Sequence, residues 1–214
     1  MLWVVALPVE AKPLVAHYAL KKSPIATPFA WYHSPTNRHA LVVSGVGKVN
    51  AAMAVAWAAA HYISTQALLN IGIAGGNEQA LGSVWLAHQV RDDDTDHVTY
   101  PLATHHYTVP SAPLCTVSQP QLAQPGCLVD MEAAGFMQAA SRFCTQERTH
   151  CLKIVSDNAA MTHQQLTASA IHDYMQAALP TIEQVSARLS TVDAMAMAWQ
   201  QAAQQCLQQF GSTL

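Results

Sequence analysis

Charge is scarce in this chain. Asp, Glu, Lys and Arg make up only 11% of its 214 residues, against 51% hydrophobic residues. Much of its surface must therefore be neutral or buried against a partner subunit. Basic residues form no cluster, and the formal net charge is -3. That argues against a nucleic-acid binder, which needs a basic face. Long apolar runs are also missing. Met1 to Ala11 is apolar but too short to span a membrane. It has no basic segment before it and meets Glu10 quickly, which argues against a secretory signal. Elsewhere Gly, Asn, His and Lys interrupt the apolar stretches. The five cysteines are an odd number without a CxxC spacing, so neither a disulfide framework nor a zinc motif is signalled. The expectation is a soluble protein of a reducing cytoplasm, without metal and without membrane attachment.

Several familiar loops are absent as well. Gly45-Val46-Gly47-Lys48 lacks the spacing and the Ser/Thr of a phosphate-binding P-loop. Gly72-Ile73-Ala74-Gly75-Gly76 lacks the spacing of a dinucleotide fingerprint. Both read as glycine turns that let a helix approach a strand. Asp92-Asp93-Asp94-Thr95-Asp96 begins like a calcium loop, but no Gly and no terminal Glu follow in place. It reads as a solvated loop. The eleven histidines are scattered, and His105-His106 read as loop surface.

What the chain does have is alternation. Leu2 to Leu7 is a buried-strand pattern, ended by Pro8. Val9 to Leu20 is helical, with Glu10 in its first turn. Ala30 to His33 and Ala40 to Ser44 read as strands around a turn at Ser34-Pro35-Thr36-Asn37. Val49 to Ile63 is an alanine-rich helix. Ala67 to Ile71 is a second buried strand, with Gly72 to Gly76 as the loop after it. Ser83 to Val90, Leu114 to Val117 and Cys151 to Val155 read as further strands. Thr162 to Gly211 is helical, divided near Pro180 and Thr191. Strands alternating with helices predict an α/β fold. The length suits one domain, spanning residues 1–214.

The most informative stretch is Cys127 to Phe136. Leu128 and Val129 end a buried strand, two carboxylates flank Met131, and a small-residue helix follows Glu132. A carboxylate at such a junction sits where open α/β sheets place ligands. Glu132 is able to accept two hydrogen bonds from a vicinal diol, with Met131 as a soft apolar wall. The same stretch is also read by a plainer account, in which Asp130 and Glu132 charge the first turn of a helix. Four strand ends carry such residues: Glu10, the Gly72 to Gly76 segment, Asp130 to Glu132, and Ser156-Asp157.

Taken together, these segments resemble a family. Val9-Glu10-Ala11, Ser44-Gly45-Val46-Gly47-Lys48-Val49, Asn70 to Gly76, Val129-Asp130-Met131-Glu132-Ala133 and Ile154-Val155-Ser156-Asp157 follow the order of the nucleoside phosphorylase/nucleosidase superfamily. The resemblance covers about residues 1–180 and is nearest to the methylthioadenosine/S-adenosylhomocysteine nucleosidases. It implies a phosphorylase-type three-layer fold, with a central mixed β-sheet flanked by helices. It also implies cleavage of the N-glycosidic bond of a purine nucleoside. Asp157 matches the acid that protonates the base at N7, Glu132 the clamp on the ribose hydroxyls, and Glu10 the group that orients or deprotonates water. Met131, Ser156, Val46, Ile73, Ala74 and Gly75 match substrate contacts. No cofactor is implied, and a homodimer is expected.

Water or phosphate as nucleophile is the next choice. In the phosphorylase branch an Arg and a Ser anchor phosphate, and Asn70 and Ile73 stand in the corresponding positions here. Leu7-Pro8-Val9-Glu10 replaces that branch's N-terminal glycine loop. Both changes favour hydrolysis; a phosphorylase and a non-catalytic nucleoside-binding relative are the alternatives. Two departures bear on the substrate. Ile73 stands where the nucleosidases usually place a serine. The segment that carries their base-stacking aromatic is shortened, with Val117-Ser118-Gln119-Pro120-Gln121 near its place. Futalosine hydrolases share an apolar residue in the glycine segment, so a base other than adenine is allowed.

Overall fold

The computed structural model describes residues 1–35, 39–61, 67–103 and 107–211, with backbone alone at 200, 204 and 206–211. Within them the chain runs β1 (Leu2–Val5), α1 (Pro8–His17), β2 (Lys21–Lys22), β3 (Ala30–His33), β4 (Ala40–Val43) and α2 (Lys48–His61). It continues through β5 (Leu68–Gly75), β6 (Val84–Asp92), β7 (Val98–Thr99), β8 (Ser111–Thr116), β9 (Leu128–Asp130) and α3 (Ala133–Ala140). Last come β10 (Thr149–Asp157) and α4 (Ala168–Gly211), with short 3-10 turns at Gln146–Arg148 and His163–Gln165. His105 and His106, part of the turn at 34–37, and the expected end of α2 at Ile63 lie outside the described residues.

β1 lies parallel between β4 and β5, and β5 continues parallel to β10. β6 runs antiparallel to β10 and parallel to β8. β8 pairs with β9, and β9 meets β5 where Val129 faces Gly75. Five strands of this mixed sheet thus close on themselves. Alternation along β1 explains the layers. Leu2 and Val4 pack with Ala51, Ala54 and Val55 of α2 and Phe136 of α3. Trp3 and Val5 pack with Leu14 of α1 and with Met175, Leu179 and Ile182 of α4. Both faces of the sheet are covered, and the mixed three-layer α/β expectation holds.

Three readings need correction. Gly72 to Gly75 is not a loop but the end of β5, paired with β10 from Lys153 to Asp157 across an irregularity at Ser156. Glycine serves close approach there. A Cβ on Gly72 would stand 2.8 Å from Glu10 Oε1, and one on Gly75 would stand 2.9 Å from Val129 Cγ1. The last helix is one element of 44 residues, not three pieces. It begins at Ala168, after the turn at His163–Gln165. Pro180 is exposed, and Leu179, Ile182, Val185 and Leu189 stay buried across it, so packing outweighs the missing hydrogen bond. Thr191 bonds back to the Ala187 carbonyl at 3.2 Å and stays within the helix. The acidic segment is only partly solvated. Asp92 is buried at the end of β6, and Lys48 Nζ lies 2.5 Å from both Asp92 Oδ1 and Asp94 Oδ2.

The small residues of α3 let it approach α2 closely. A Cβ on Gly135 would fall 2.0 Å from the Lys48 carbonyl oxygen, which is backbone and cannot swing aside. Gly135→Ala should therefore overpack the α2–α3 contact and cost about 1–3 kcal/mol. Thermal unfolding should show the midpoint lowered by several degrees, roughly 2–4 °C per kcal/mol for a chain of this size. An unchanged midpoint would mean that the helices separate without cost.

Candidate functional site

A cavity of about 220 Å³ opens at the C-terminal ends of β1, β5, β9 and β10. The parallel strands β1, β5 and β10 finish at the same edge of the sheet, and β9, antiparallel to β5, meets its end at Gly75. Glu10, Val46, Ile73, Ala74, Gly75, Met131, Glu132, Ser156 and Asp157 all line it. These are the residues singled out from the sequence, and the fold brings all of them together.

Glu10 stands in the first turn of α1 and is 1% exposed. Pro8 suits the helix start, where its missing N–H costs nothing. Glu10 Oε2 accepts the N–H groups of Ala6 at 3.0 Å and Leu7 at 2.8 Å. Its Oε1 accepts the Ile73 N–H at 2.9 Å. Burial raises its pKa above the ordinary 4.5, against the pull of these N–H groups and of the Lys153 ammonium. A carboxylate has about four acceptor sites, so one remains on Oε1.

Glu132 is the residue before the first turn of α3. Its Oε1 accepts the Gly47 N–H at 2.9 Å. Gly47 has φ +105°, a conformation that favours glycine, and so the glycine turn before α2 aims a donor at the site. Oε2 of Glu132 carries no bond to a described residue. Burial chiefly, and then the Asp130 and Glu10 carboxylates, raise the Glu132 pKa to about 7 against the pull of Lys153 and the Gly47 N–H.

Asp157 ends β10. Its Oδ1 accepts the Ser156 hydroxyl at 2.6 Å, and Ser156 is fully buried. The other oxygen, Oδ2, would lie 3.1 Å from a Cβ on Gly75. Glycine at that position keeps the carboxylate clear. Met131 packs with Val117 and Val129 in a small apolar cluster beside the cavity.

Asp130, between the strand and the helix, is taken up by structure. Its Oδ2 accepts the Ala133 N–H at 2.9 Å and faces Lys153 Nζ at 2.7 Å. The plainer account of the stretch, a carboxylate serving the first turn of a helix, thus describes Asp130. Lys153 was missed by motif reading. A lone lysine within the apolar strand Cys151-Leu152-Lys153-Ile154-Val155 was the available signal, because lysine is almost never fully buried unless paired. Val117, Pro120 and Gln121 of the shortened segment also line the cavity, as do His163 and Leu166. The last two follow β10 by several residues and carry no sequence signature. Asn70, compared above with a phosphate anchor, lies in mid-strand, its amide donating to the Val4 carbonyl at 3.1 Å. It is not among the cavity residues, whereas Ile73 is.

The model of the family described as the phosphorylase superfamily matches residues 2–124. No curated protein matches the sequence significantly. Among solved structures, the apo 5'-methylthioadenosine nucleosidase of Arabidopsis thaliana superposes with a TM-score of 0.75 at 19% identity, over 88% of this chain and 94% of that one. The 5'-methylthioadenosine/S-adenosylhomocysteine nucleosidase of S. pneumoniae, solved with a transition-state inhibitor, gives 0.68 at 19% identity, over 85% and 95%. The Neisseria meningitidis enzyme of the same description gives 0.61 at 18%, over 83% and 96%. At these identities the likeness is one of fold.

The raised Glu132 pKa makes a stability prediction. A carboxyl group with a folded pKa above its unfolded value binds its proton better when folded. Its favourable contribution is complete below about pH 4.5 and is lost as pH rises through about 7. Glu132→Gln carries no such dependence at this position. The mutant's melting temperature relative to wild type should rise between these limits and level off above them. Thermal melts in a pH series check this, and a constant difference would mean that Glu132 titrates normally.

Proposed function

This chain belongs to the phosphorylase superfamily, and we propose that it is the hydrolytic kind: a nucleosidase that cleaves the N-glycosidic bond of a purine nucleoside. The observation that carries the proposal is the convergence of Glu10, Glu132 and Asp157 in one cavity, each held by a different partner. On this reading the ribose diol donates to Glu132, whose Oε2 faces no competing donor among the described residues. Met131 lies against the sugar. Water takes the remaining acceptor site of Glu10, gives it a proton and attacks C1′. Asp157, fixed through Oδ1 by the Ser156 hydroxyl, delivers a proton to N7 of the departing base. The bond between C1′ and the base breaks, and free base and free sugar result. Acid and base carboxylates serve a comparable oxocarbenium-like transition state in glycosidases.

Water is favoured over phosphate by the lining. Among its described residues none is Arg or Lys, while buried Glu10 stands at the nucleophile's place. A phosphate dianion desolvated there would lack the cationic donors it needs. The base would rest on aliphatic walls, Val117, Pro120, Val129 and Ile73, since no Phe, Tyr or Trp lines the described cavity. Such walls suit an adenine nucleoside of the methylthioadenosine or adenosylhomocysteine type, or a futalosine-like one. The same reading makes the protein one domain over residues 1–214 and a cytoplasmic homodimer. β10 of the second half lies between β5 and β6 of the first, which ties the halves into one sheet. Val46, Val49 and Met53 leave an exposed apolar strip beside the cavity, and Val49 is 71% exposed. Cys115, Cys127, Cys144 and Cys151 are free thiols, as suits a reducing compartment.

The deciding experiment incubates a panel of purine nucleosides with the protein, with and without phosphate, and identifies products by mass spectrometry. Free sugar should accumulate and phosphate should not accelerate turnover; sugar 1-phosphate as the main product would move the chain to the phosphorylase branch. Asp157→Asn should lower cleavage by about a hundred- to ten-thousand-fold, the usual loss on removing a general acid. Wild-type rates in that mutant would remove Asp157 from the mechanism. Light scattering checks the oligomer, and a monomeric mass would end the dimer assignment.

A further inference from the structure

Lys153 lies beneath the cavity at 1% exposure, its ammonium 2.7 Å from Asp130 Oδ2. Asp130 has little capacity left for a substrate. Oδ2 also accepts the Ala133 N–H at 2.9 Å, and Oδ1 accepts the Thr116 hydroxyl at 2.7 Å. That hydroxyl in turn accepts the Ala134 N–H at 2.9 Å. Asp130 and Thr116 therefore hold the first two N–H groups of α3, directly after Glu132. Four charged side chains meet here from four elements: Glu10 from α1, Asp130 from β9, Glu132 at the start of α3, and Lys153 from β10. The Cys151 thiol also faces Lys153.

Resting on the ribose-clamp reading of Glu132, we propose that Lys153 and Asp130 are positioning residues that hold the Glu132 carboxylate in place and in the ionised form a diol needs. Asp130 supplies the place, by fixing the helix turn on which Glu132 stands. Lys153 supplies the charge balance, since three buried carboxylates around one point repel one another. Burial disfavours the ammonium itself, but Asp130 and Glu132 outweigh that and keep its pKa above the ordinary lysine value. Lys153 therefore remains a cation throughout the range in which Glu132 titrates.

The test uses the whole chain as wild type, Lys153→Met, Lys153→Arg, Asp130→Asn and the double variant Lys153→Met/Asp130→Asn. The Glu132 carboxyl is titrated by carbon NMR on glutamate-labelled protein, with Glu132→Gln identifying its signal. Binding of adenosine and of 2′,3′-dideoxyadenosine is measured in parallel. Lys153→Met should move the Glu132 titration up by about one pH unit or more, and adenosine affinity at neutral pH should fall by about fivefold or more. Dideoxyadenosine, which has no diol, should be unaffected. Asp130→Asn should move the titration down, Lys153→Arg should leave it in place, and the double variant should return it towards wild type. Opposite signs in the single variants separate charge from general loosening, and either one carries the test if the other fails to fold. A Glu132 titration unmoved in all of them overturns the proposal. If it moves as expected but wild type binds both nucleosides equally, the charge balance stands and the ribose-clamp reading falls.

Discussion

The buried contact between Lys153 and Asp130 is the constraint on which the site depends. Desolvating two charges is costly, and their attraction offsets the cost only if the remaining hydrogen-bond capacity is also used. Asp130 meets that condition with the Ala133 N–H and the Thr116 hydroxyl. The contact ties β10 to the junction of β9 and α3, so the two most chemically loaded strand ends cannot move independently. Breaking it by removing one partner would leave a lone charge in the core. The pair thus reports more on how the site is held than on how stable the fold is.

A second constraint is space. Carboxylates crowd the C-terminal edge of the sheet, and every one of them passes close to backbone. Gly72 leaves room for Glu10, Gly75 for Asp157 and Val129, and Gly135 for the start of α2. Gly47 contributes through its positive φ instead, by turning an N–H towards Glu132. The glycines of this chain thus do the positioning that glycine-rich loops do for phosphates elsewhere, but around acids rather than anionic ligands.

How far the sequence alone reached follows from the same physics. Strands buried on both faces were legible as apolar runs, as in Leu2 to Leu7 and Cys151 to Val155, because nothing polar is tolerated there without a partner. The exception within the second run, Lys153, is the sign of a buried partner, which the structure shows as Asp130. Gly72 to Gly75 reads as a loop because glycine ordinarily weakens a strand, and only the tertiary neighbours Glu10 and Asp157 explain its presence. Pro180 reads as a break for a related reason. Proline breaks a helix by local rules, yet the apolar stripe of α4 stays buried across it and the helix continues. The cavity acids were legible because each stands at a strand or helix end next to small residues. His163 and Leu166 were not, since a 3-10 turn brings them back to the cavity by a path that no periodicity encodes.

The hydrogen bonds of Glu10 narrow the chemistry further. Three backbone N–H groups fix its two oxygens, so its geometry does not rely on a substrate. Those donors favour the charged form, while burial opposes it and prevails. The result is a rigid carboxylate more basic than one in water, with one acceptor site left on Oε1. A small neutral donor suits that site, whereas a multiply charged acceptor such as phosphate would meet only repulsion there. The cation nearby, Lys153, is already engaged by Asp130 and lies below the lining rather than in it. The electrostatics that suit Glu10 to the proposed role of a base for water would therefore also make the cavity a poor host for phosphate, and both follow from which groups the sheet edge brings together.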